Sequence, residues 1–573
     1  MANIAPAPAP EIQLDAEGMD RGVGFWGLFW SSEGSIIGSG WLFGALGAGA
    51  IAGPSAIIAW GIASVIVLIL ALVHAELGGL FPVSGGTSRF PHYAFGSFAG
   101  ATFGWFSFIQ AATVAPIEVL AAIEYLSTAH WARSFYNGTT IHGLGIPVAI
   151  FFMFVFTAVN LIGVRWLARV NNVLTTWKLI IPVLTIIVLL IFKFHGSNFS
   201  ADGGFFIKGA AFKSIFIAIP TGGIVFSLLG FEQAVQLAGE ARNPARDVPR
   251  AVISAIIVGG GVYILLQVAF IGALEPSLLR QAGTWANLAV PGKSPAIQAL
   301  NAGPFYKVAE LAGLVWLGVL LRIDAVISPS GTGLIYLTSA SRILFGLSRN
   351  GYLPEAFERT SATRKVPVFS IIITALVGLI FLLPFPSWSK LVGVVTSASV
   401  LMYAGAPLAM GALRLQKPNL TRPYRMPGGS FWAPTAFVLA NFIVYWSGWQ
   451  TYSTLLVVII IGYVLIGASY VLNLNPDRPR IDRGAIGWVL AYLIGMGIIS
   501  YFGGFGQGGI IGGVGVFKNV LVGGNGHIGL YWDLLILAAF SLVIYYWAIS
   551  TRLSEAEVDH YVREVYPPPV AEH

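Results

Sequence analysis

Long apolar stretches recur along the whole chain of 573 residues and are separated by short polar segments. A hydrocarbon core about 30 Å thick requires about 20 residues of α-helix, and most of these stretches are long enough. They predict an all-α integral membrane protein with 14 transmembrane helices. The predicted helices begin near Gly24, Pro54, Gly96, Gly145, Val173, Lys213, Val252, Ala309, Val368, Lys390, Phe431, Tyr452, Gly484 and Gly529.

Glycines interrupt two of the predicted helices, the first at 32–43 and the sixth at 220–232. Glycine clusters allow a membrane helix to unwind, which frees backbone N–H and C=O groups that must then face protein or a cavity. Paired interruptions in two halves of a chain indicate the substrate site of a transporter. The alternative is close helix packing through a face of small residues from Gly34 to Gly38.

The two interrupted helices divide the chain into repeats. Five helices precede the second interruption and five more begin with it, so the second repeat must cross the membrane in the opposite sense. The pattern predicts a 5+5 inverted repeat with discontinuous helices 1 and 6, followed by four accessory helices. The expected parts are a disordered cytoplasmic tail (1–20), the first repeat (21–200), the second repeat (201–412), the accessory helices (413–550) and a cytoplasmic C-terminal tail (551–573).

Composition supports a membrane protein, since charged residues make up 10% of the chain and hydrophobic residues 56%. Arg is concentrated in the loops that would face the cytoplasm, which predicts cytoplasmic termini and a location in the plasma (inner) membrane. The net charge of +7 is spread over short loops, so we expect no nucleic-acid partner. Cys is absent and the eight His residues show no metal-ligand spacing. We therefore expect no metal, no cofactor and no enzyme activity.

Several motifs around the interruptions occur in the order typical of one protein family. They are Gly-Ser-Ile-Ile-Gly-Ser-Gly at 34–40, His-Ala-Glu-Leu-Gly at 74–78, Gly-Phe-Glu at 230–232, Gly-Glu-Ala-Arg-Asn-Pro at 239–244 and Arg-Asn-Gly at 349–351. Together they resemble the amino acid–polyamine–organocation superfamily of permeases. The stretches at 266–273, 323–329 and 444–449 most resemble aspartate–proton symporters with 14 helices.

The interruptions and the resemblance together imply an amino acid site between helices 1 and 6. Backbone amides at 38–40 would bind a carboxylate, and carbonyl groups between Thr221 and Ile224 would accept hydrogen bonds from an ammonium group. The resemblance implies that Phe226 covers the substrate, although packing in a core is an alternative for this residue. The expected substrate-binding residues are Ser35, Ile36, Gly38, Ser39, Gly40, Thr221, Gly222, Ile224, Phe226, Leu229 and Arg322.

Two residues are implied in proton coupling. The motif at 169–172 followed by Lys178 resembles the arrangement in proton-coupled members, where a lysine of helix 5 takes the place of a metal cation. A buried ammonium group is costly, so it can release its proton when the site rearranges. Because the predicted helix begins near Val173, the alternative for Lys178 is that it reaches toward the membrane surface. Glu232 matches a family position linked to proton sensing.

Other charges fall within or near predicted spans, where an unpaired charge is costly. They are Glu33, Glu118, Glu124 and Asp324, together with Arg322. Two interpretations of Arg322 remain open. It either forms a structural ion pair, for example with Glu118, or binds the side-chain carboxylate of an acidic substrate.

These features predict a proton-coupled amino acid symporter that works by alternating access within the lipid bilayer. An acidic amino acid such as aspartate or glutamate is the first expectation for its substrate, and a neutral one the second. A transporter or exchanger of cationic amino acids or polyamines in the same family is an alternative, and a channel is an alternative of another class. The sequence leaves the oligomeric state open.

Overall fold

The computed structural model describes residues 22–83, 85–138, 140–162, 164–362, 364, 366–382, 387–508 and 521–565. Among these residues, ten helices are long and apolar enough to cross a membrane, and two shorter apolar helices lie at 212–221 and 368–382. One of the ten spans, Gly40–Leu80, contains two successive helices joined by a turn at Gly53–Ser55. The predicted tail at 1–20 lies outside the described residues.

The first repeat contains an interrupted helix followed by four complete spans. A short helix, α4, lies between the second and third spans. The helices are α1 (Phe25–Ile36), α2 (Gly40–Ala52), α3 (Ala56–Leu80), α4 (Gly86–Phe95), α5 (Ser97–Leu126), α6 (Gly145–Ile162) and α7 (Val164–Phe192).

The second repeat begins with the other interrupted helix, and three short helices lie between its second and third spans. The helices are α8 (Ala211–Thr221), α9 (Ile224–Leu228), α10 (Gln233–Gln236), α11 (Pro244–Ala273), α12 (Pro276–Ala282), α13 (Pro295–Ala302), α14 (Pro304–Leu311), α15 (Val315–Arg349), α16 (Val368–Leu382) and α17 (Trp388–Gln416).

Four accessory helices and a terminal helix complete the described part of the chain. They are α18 (Gly429–Trp446), α19 (Trp449–Val471), α20 (Arg483–Phe502), α21 (Leu530–Ser550) and α22 (Glu555–Val565). The order of interrupted and complete helices confirms the predicted 5+5 arrangement with four additional helices. In the centre, α5 packs against α15 and α17, and its whole apolar window is buried inside the protein.

Most predicted helix starts lie within three residues of the observed ones, but three differ more. Helices α7 and α11 begin before Val173 and Val252 because their first turns are polar, and apolar patterning detects only the part inside the hydrocarbon. The eighth span begins after Ala309, because Gly313 adopts a positive φ of 74° and separates α14 from α15.

Candidate functional site

The unwound part of helix 1 lies between Ile36, where α1 ends, and Gly40, where α2 begins. Side chains from surrounding helices bind the freed backbone groups. The Ser39 N–H donates to Glu118 Oε2 at 2.8 Å, and Tyr263 Oη donates to the Ile36 carbonyl at 2.7 Å. The interruption is therefore held from α5 and α11, as an unwound segment at membrane depth requires.

The unwound part of helix 6 depends on glycine at two positions. Gly223 has φ 88° and Gly230 has φ 126°, which L-residues with side chains rarely adopt. Gly230 also packs against helix 1, since a Cβ there would lie 2.7 Å from the Ile36 nitrogen. A Cβ on Gly40 would lie 2.8 Å from Ser227 Cα. The two interrupted helices thus touch through backbone at their breaks.

A small cavity lies beside these two breaks. Four helical regions contribute to it: the break of helix 1, α5, the segment around α9, and α15. The lining side chains and glycines are buried from solvent. The lining residues are Ser35, Ile36, Gly38, Gly40, Val114, Glu118, Phe226, Leu229, Thr332 and Tyr336.

Six residues of the substrate-site prediction line this cavity, and five do not. Ser39 is turned toward Glu118 and toward Trp388, whose Nε1 donates to Ser39 Oγ at 2.9 Å. Thr221 Oγ1 donates to a carbonyl of its own helix. The Gly222 carbonyl instead faces α2, where a Cβ on residue 47 would lie 2.6 Å away. Ile224 is fully buried outside the lining, and Arg322 is also absent from it.

Three aromatic side chains pack together beside the cavity. Phe226 makes an edge-on contact with Trp388, with ring centroids 5.7 Å apart. Trp388 also stacks on Phe43, at a centroid distance of 5.2 Å. Trp388 was not among the predicted site residues, although an aromatic residue at the start of helix 10 could have indicated it. The arrangement covers the lining residue Phe226 with a second large ring.

Lys178 lies near the middle of α7 and is fully buried. Its Nζ donates to the Gly34 carbonyl and to Thr332 Oγ1, the latter at 2.7 Å. Thr332 Oγ1 also donates to the Gly34 carbonyl at 3.0 Å. The alternative that Lys178 reaches the membrane surface is wrong, because α7 begins nine residues earlier than predicted. The side chains at 169–172, which belong to the same motif, lie outside the described part of the structure.

Glu232 is also fully buried, and both of its oxygens accept hydrogen bonds. Oε1 accepts from Tyr336 Oη at 3.0 Å and from Gln110 Nε2 at 3.3 Å. Oε2 accepts from Tyr403 Oη at 2.6 Å and from the Gly230 N–H at 2.9 Å. Because Tyr336 lines the cavity, one hydrogen-bonded side chain connects Glu232 to the cavity.

Arg322 lies near the N-terminal end of α15. Its Nε donates to Thr128 Oγ1 at 3.1 Å, and its guanidinium lies 4.0 Å from the centroid of the Tyr306 ring. The ion pair with Glu118, given as an example of the first interpretation, is not formed, because Arg322 is engaged by other residues and Glu118 is bound by the helix 1 backbone. Binding of a substrate carboxylate by Arg322 stays a prediction.

Two of the remaining intramembrane acids, Asp324 and Glu124, are bonded elsewhere. Asp324 accepts from Trp41 Nε1 at 3.0 Å and from Ser328 Oγ at 2.7 Å. Glu124 forms a hydrogen bond with the side chain of Tyr136. Neither residue lines the cavity.

Known proteins match nearly the whole chain. A family model described as amino acid permease matches residues 23–466. The chain is 35% identical over 538 residues to the glutamate/serine transporter AimA of Bacillus subtilis, covering 93% of this chain and 94% of that protein. It is 34% identical over 552 residues to the aspartate–proton symporter of the same organism, covering 94% of this chain and 98% of that protein. The chain therefore belongs to the amino acid permease family of multi-pass membrane transporters, which are not enzymes.

Proposed function

We propose that this protein is a proton-coupled symporter that takes up an amino acid across the plasma membrane by alternating access, with both termini in the cytoplasm. One observation carries the proposal. Lys178 donates both to the Gly34 carbonyl, in the last turn of α1 before the break of helix 1, and to Thr332 in the cavity wall. A group that can bind and release a proton therefore touches the same backbone that borders the cavity.

The amino acid binds in the cavity between the two interrupted helices. Its carboxylate faces the N-terminal end of α2 near Gly40, where the helix dipole favours a negative charge. Its ammonium group faces Glu118, the acidic side chain in the lining. Phe226 covers the bound molecule.

Protonated Lys178 holds the break of helix 1 against α15. An ammonium group has three N–H donors and no acceptor, so both hydrogen bonds of Lys178 can persist whenever it is charged. After the proton leaves, one fewer N–H is available and the attraction to the Gly34 carbonyl is weaker. Proton release therefore favours movement of α1, which couples the proton to the change of access.

We propose an acidic amino acid as the first substrate class. The supporting observation is similarity over more than nine-tenths of the chain to proteins named for glutamate/serine and aspartate transport. A small neutral amino acid such as serine is the second candidate. Glu118 and the hydroxyl groups of Ser35 and Thr332 favour it, and no basic side chain is among the lining residues.

The test is uptake into proteoliposomes under an imposed pH gradient, with all common amino acids and the polyamines screened separately. We expect saturable, gradient-driven accumulation of aspartate, glutamate or serine that does not require sodium. Uptake that requires a sodium gradient would contradict proton coupling. Flux without saturation or counterflow would instead indicate a channel.

A further inference from the structure

Glu33 differs from the other buried acids of the transport core. It is fully buried on α1, and neither carboxylate oxygen has a hydrogen-bond partner among the described residues. Glu118 and Asp324, by contrast, each accept hydrogen bonds from neighbouring helices. An ionised carboxylate without donors is very costly at membrane depth, so the neutral, protonated form of Glu33 fits this site.

Glu33 lies in the last turn of α1, next to the break of helix 1. Its carbonyl accepts the hydrogen bond of the Ile37 N–H at 2.9 Å, which is at the end of α1. The next residue, Gly34, carries the carbonyl to which Lys178 donates. A movement that separates Lys178 from Gly34 must therefore also change the surroundings of Glu33.

The charges around Glu33 come from several packed helices. Lys178 on α7 is the opposite charge that acts on it, and Tyr263 on α11 is also close enough to interact. Glu118 on α5 and Asp324 on α15 act on the same lysine. On the α11 side, Gly259 packs closely against this part of α1, since a Cβ there would lie 2.7 Å from Ile36 Cγ2 and 3.7 Å from Glu33 Oε1. Lys178 forms no direct ion pair among the described residues. Its ammonium group instead interacts with Glu33, Glu118 and Asp324 at longer distances.

We propose that Glu33 binds a second transported proton, so that two protons cross the membrane with each amino acid. This inference rests on the proposed function, in which Lys178 carries the first proton. One O–H bond forms at the Glu33 carboxyl group when its proton arrives from outside. The same bond breaks when α1 moves and water reaches the carboxyl group from the cytoplasmic side. No other bond changes.

The number of protons determines the charge moved in each cycle. With two protons, an amino acid carrying one negative charge moves with a net charge of plus one, and a neutral amino acid with plus two. With one proton, these charges are zero and plus one. The stoichiometry can therefore be measured from the membrane potential at which net flux stops against a fixed substrate gradient. For an acidic amino acid, a one-proton cycle is electroneutral, so its net flux does not respond to the membrane potential at all.

The experiment measures this reversal potential in proteoliposomes for the full-length protein and for two variants. We expect two protons for the unmodified protein and one for Glu33→Gln, with substrate counterflow retained. Asp533→Asn is the matched control, because Asp533 is a buried acid of the accessory helix α21 that accepts from Tyr445 Oη at 2.5 Å. It should keep two protons.

Each outcome separates the inference from the proposed function. A value of one proton in the unmodified protein, or two in Glu33→Gln, overturns the role of Glu33 and leaves proton coupling intact. If the unmodified protein shows no proton stoichiometry at all, the proposed function itself fails. Where Glu33→Gln proves inactive in counterflow, Lys178→Met provides the second variant. It should retain one coupled proton, and complete loss of coupling with counterflow intact would overturn the inference.

Discussion

In the proposed site, Glu118 would have two opposing effects on a substrate bound in the cavity. Its Oε2 accepts from the Ser39 N–H, and the carboxylate also lines the cavity. A negative charge at this position attracts the ammonium group common to all amino acids but repels the side-chain carboxylate of an acidic one. We therefore expect Glu118 to contribute both to general binding and to selectivity.

We predict that Glu118→Gln raises the preference for glutamate or aspartate over serine about tenfold, which corresponds to about 1.4 kcal/mol. The glutamine oxygen still accepts from the Ser39 amide, so the break of helix 1 is kept. Competition in a counterflow assay measures the preference. Glu124→Gln removes a carboxyl group from the same helix outside the cavity lining and serves as the control. An unchanged preference in Glu118→Gln would contradict the proposed charge effect.

Among single residues, the sequence could indicate those cavity-lining positions that lie beside a glycine-rich interruption of a helix. Ser35, Gly38 and Phe226 lie at glycine-rich interruptions, and the structure places them in the cavity lining. Thr332 and Tyr336 come from α15, which runs uninterrupted through this region. Their nearness to the cavity results from packing between distant segments, which periodicity cannot show.

The two interrupted helices owe their breaks to glycine. Their breaks require glycine for two physical reasons, a backbone conformation with positive φ and a close approach of one backbone to another. Gly230 meets both conditions, because its φ is 126° and an added Cβ would lie 2.7 Å from the Ile36 nitrogen. A side chain at this position would separate the two breaks.

We therefore predict that Gly230→Ala reduces transport at least tenfold while the protein still inserts into the membrane. The strain of φ and the contact with helix 1 each contribute of the order of 1–3 kcal/mol. Initial rates of uptake, normalised to purified protein, provide the measurement. Gly61→Ala in α3 is the control, because nothing lies within 4 Å of the added Cβ. Equal loss of activity in both variants would contradict a specific role for Gly230.

Helix positions could be predicted from sequence more accurately than helix lengths. Apolar patterning found the spans and glycine clusters found both interruptions. The early start of α7 could not be found this way, because its first turns are polar. That difference matters for function, since it moves Lys178 from near a helix end to the middle of the protein.

At the scale of the whole molecule, a buried ion cluster joins the transport core to the segment before the accessory helices. Glu76 on α3 accepts from Arg414 Nε at 2.9 Å and from the Met426 N–H at 2.7 Å. Arg422 lies 3.3 Å from the same carboxylate. Removal of one member would leave charges buried without their partner.

We predict that Glu76→Gln destabilises the protein by about 3 kcal/mol, as expected when one partner of a buried ion pair is removed. Thermal unfolding in detergent provides the measurement. Glu555→Gln is the matched control, because Glu555 is 69% exposed and its ion pair with Lys417 lies at the surface. Exposed pairs contribute about 0–1 kcal/mol. A comparable loss of stability in both variants would show that the Glu76 cluster has no special structural role.

The central claim is that Lys178 couples a proton to amino acid uptake, and the most direct test compares accumulation in proteoliposomes at an imposed pH difference of about one unit. Each coupled proton then contributes about 1.4 kcal/mol, or about tenfold accumulation. We predict that Lys178→Met lowers the steady-state accumulation ratio about tenfold while counterflow of the same substrate continues. Accumulation by Lys178→Met equal to that of the unmodified protein would contradict the claim.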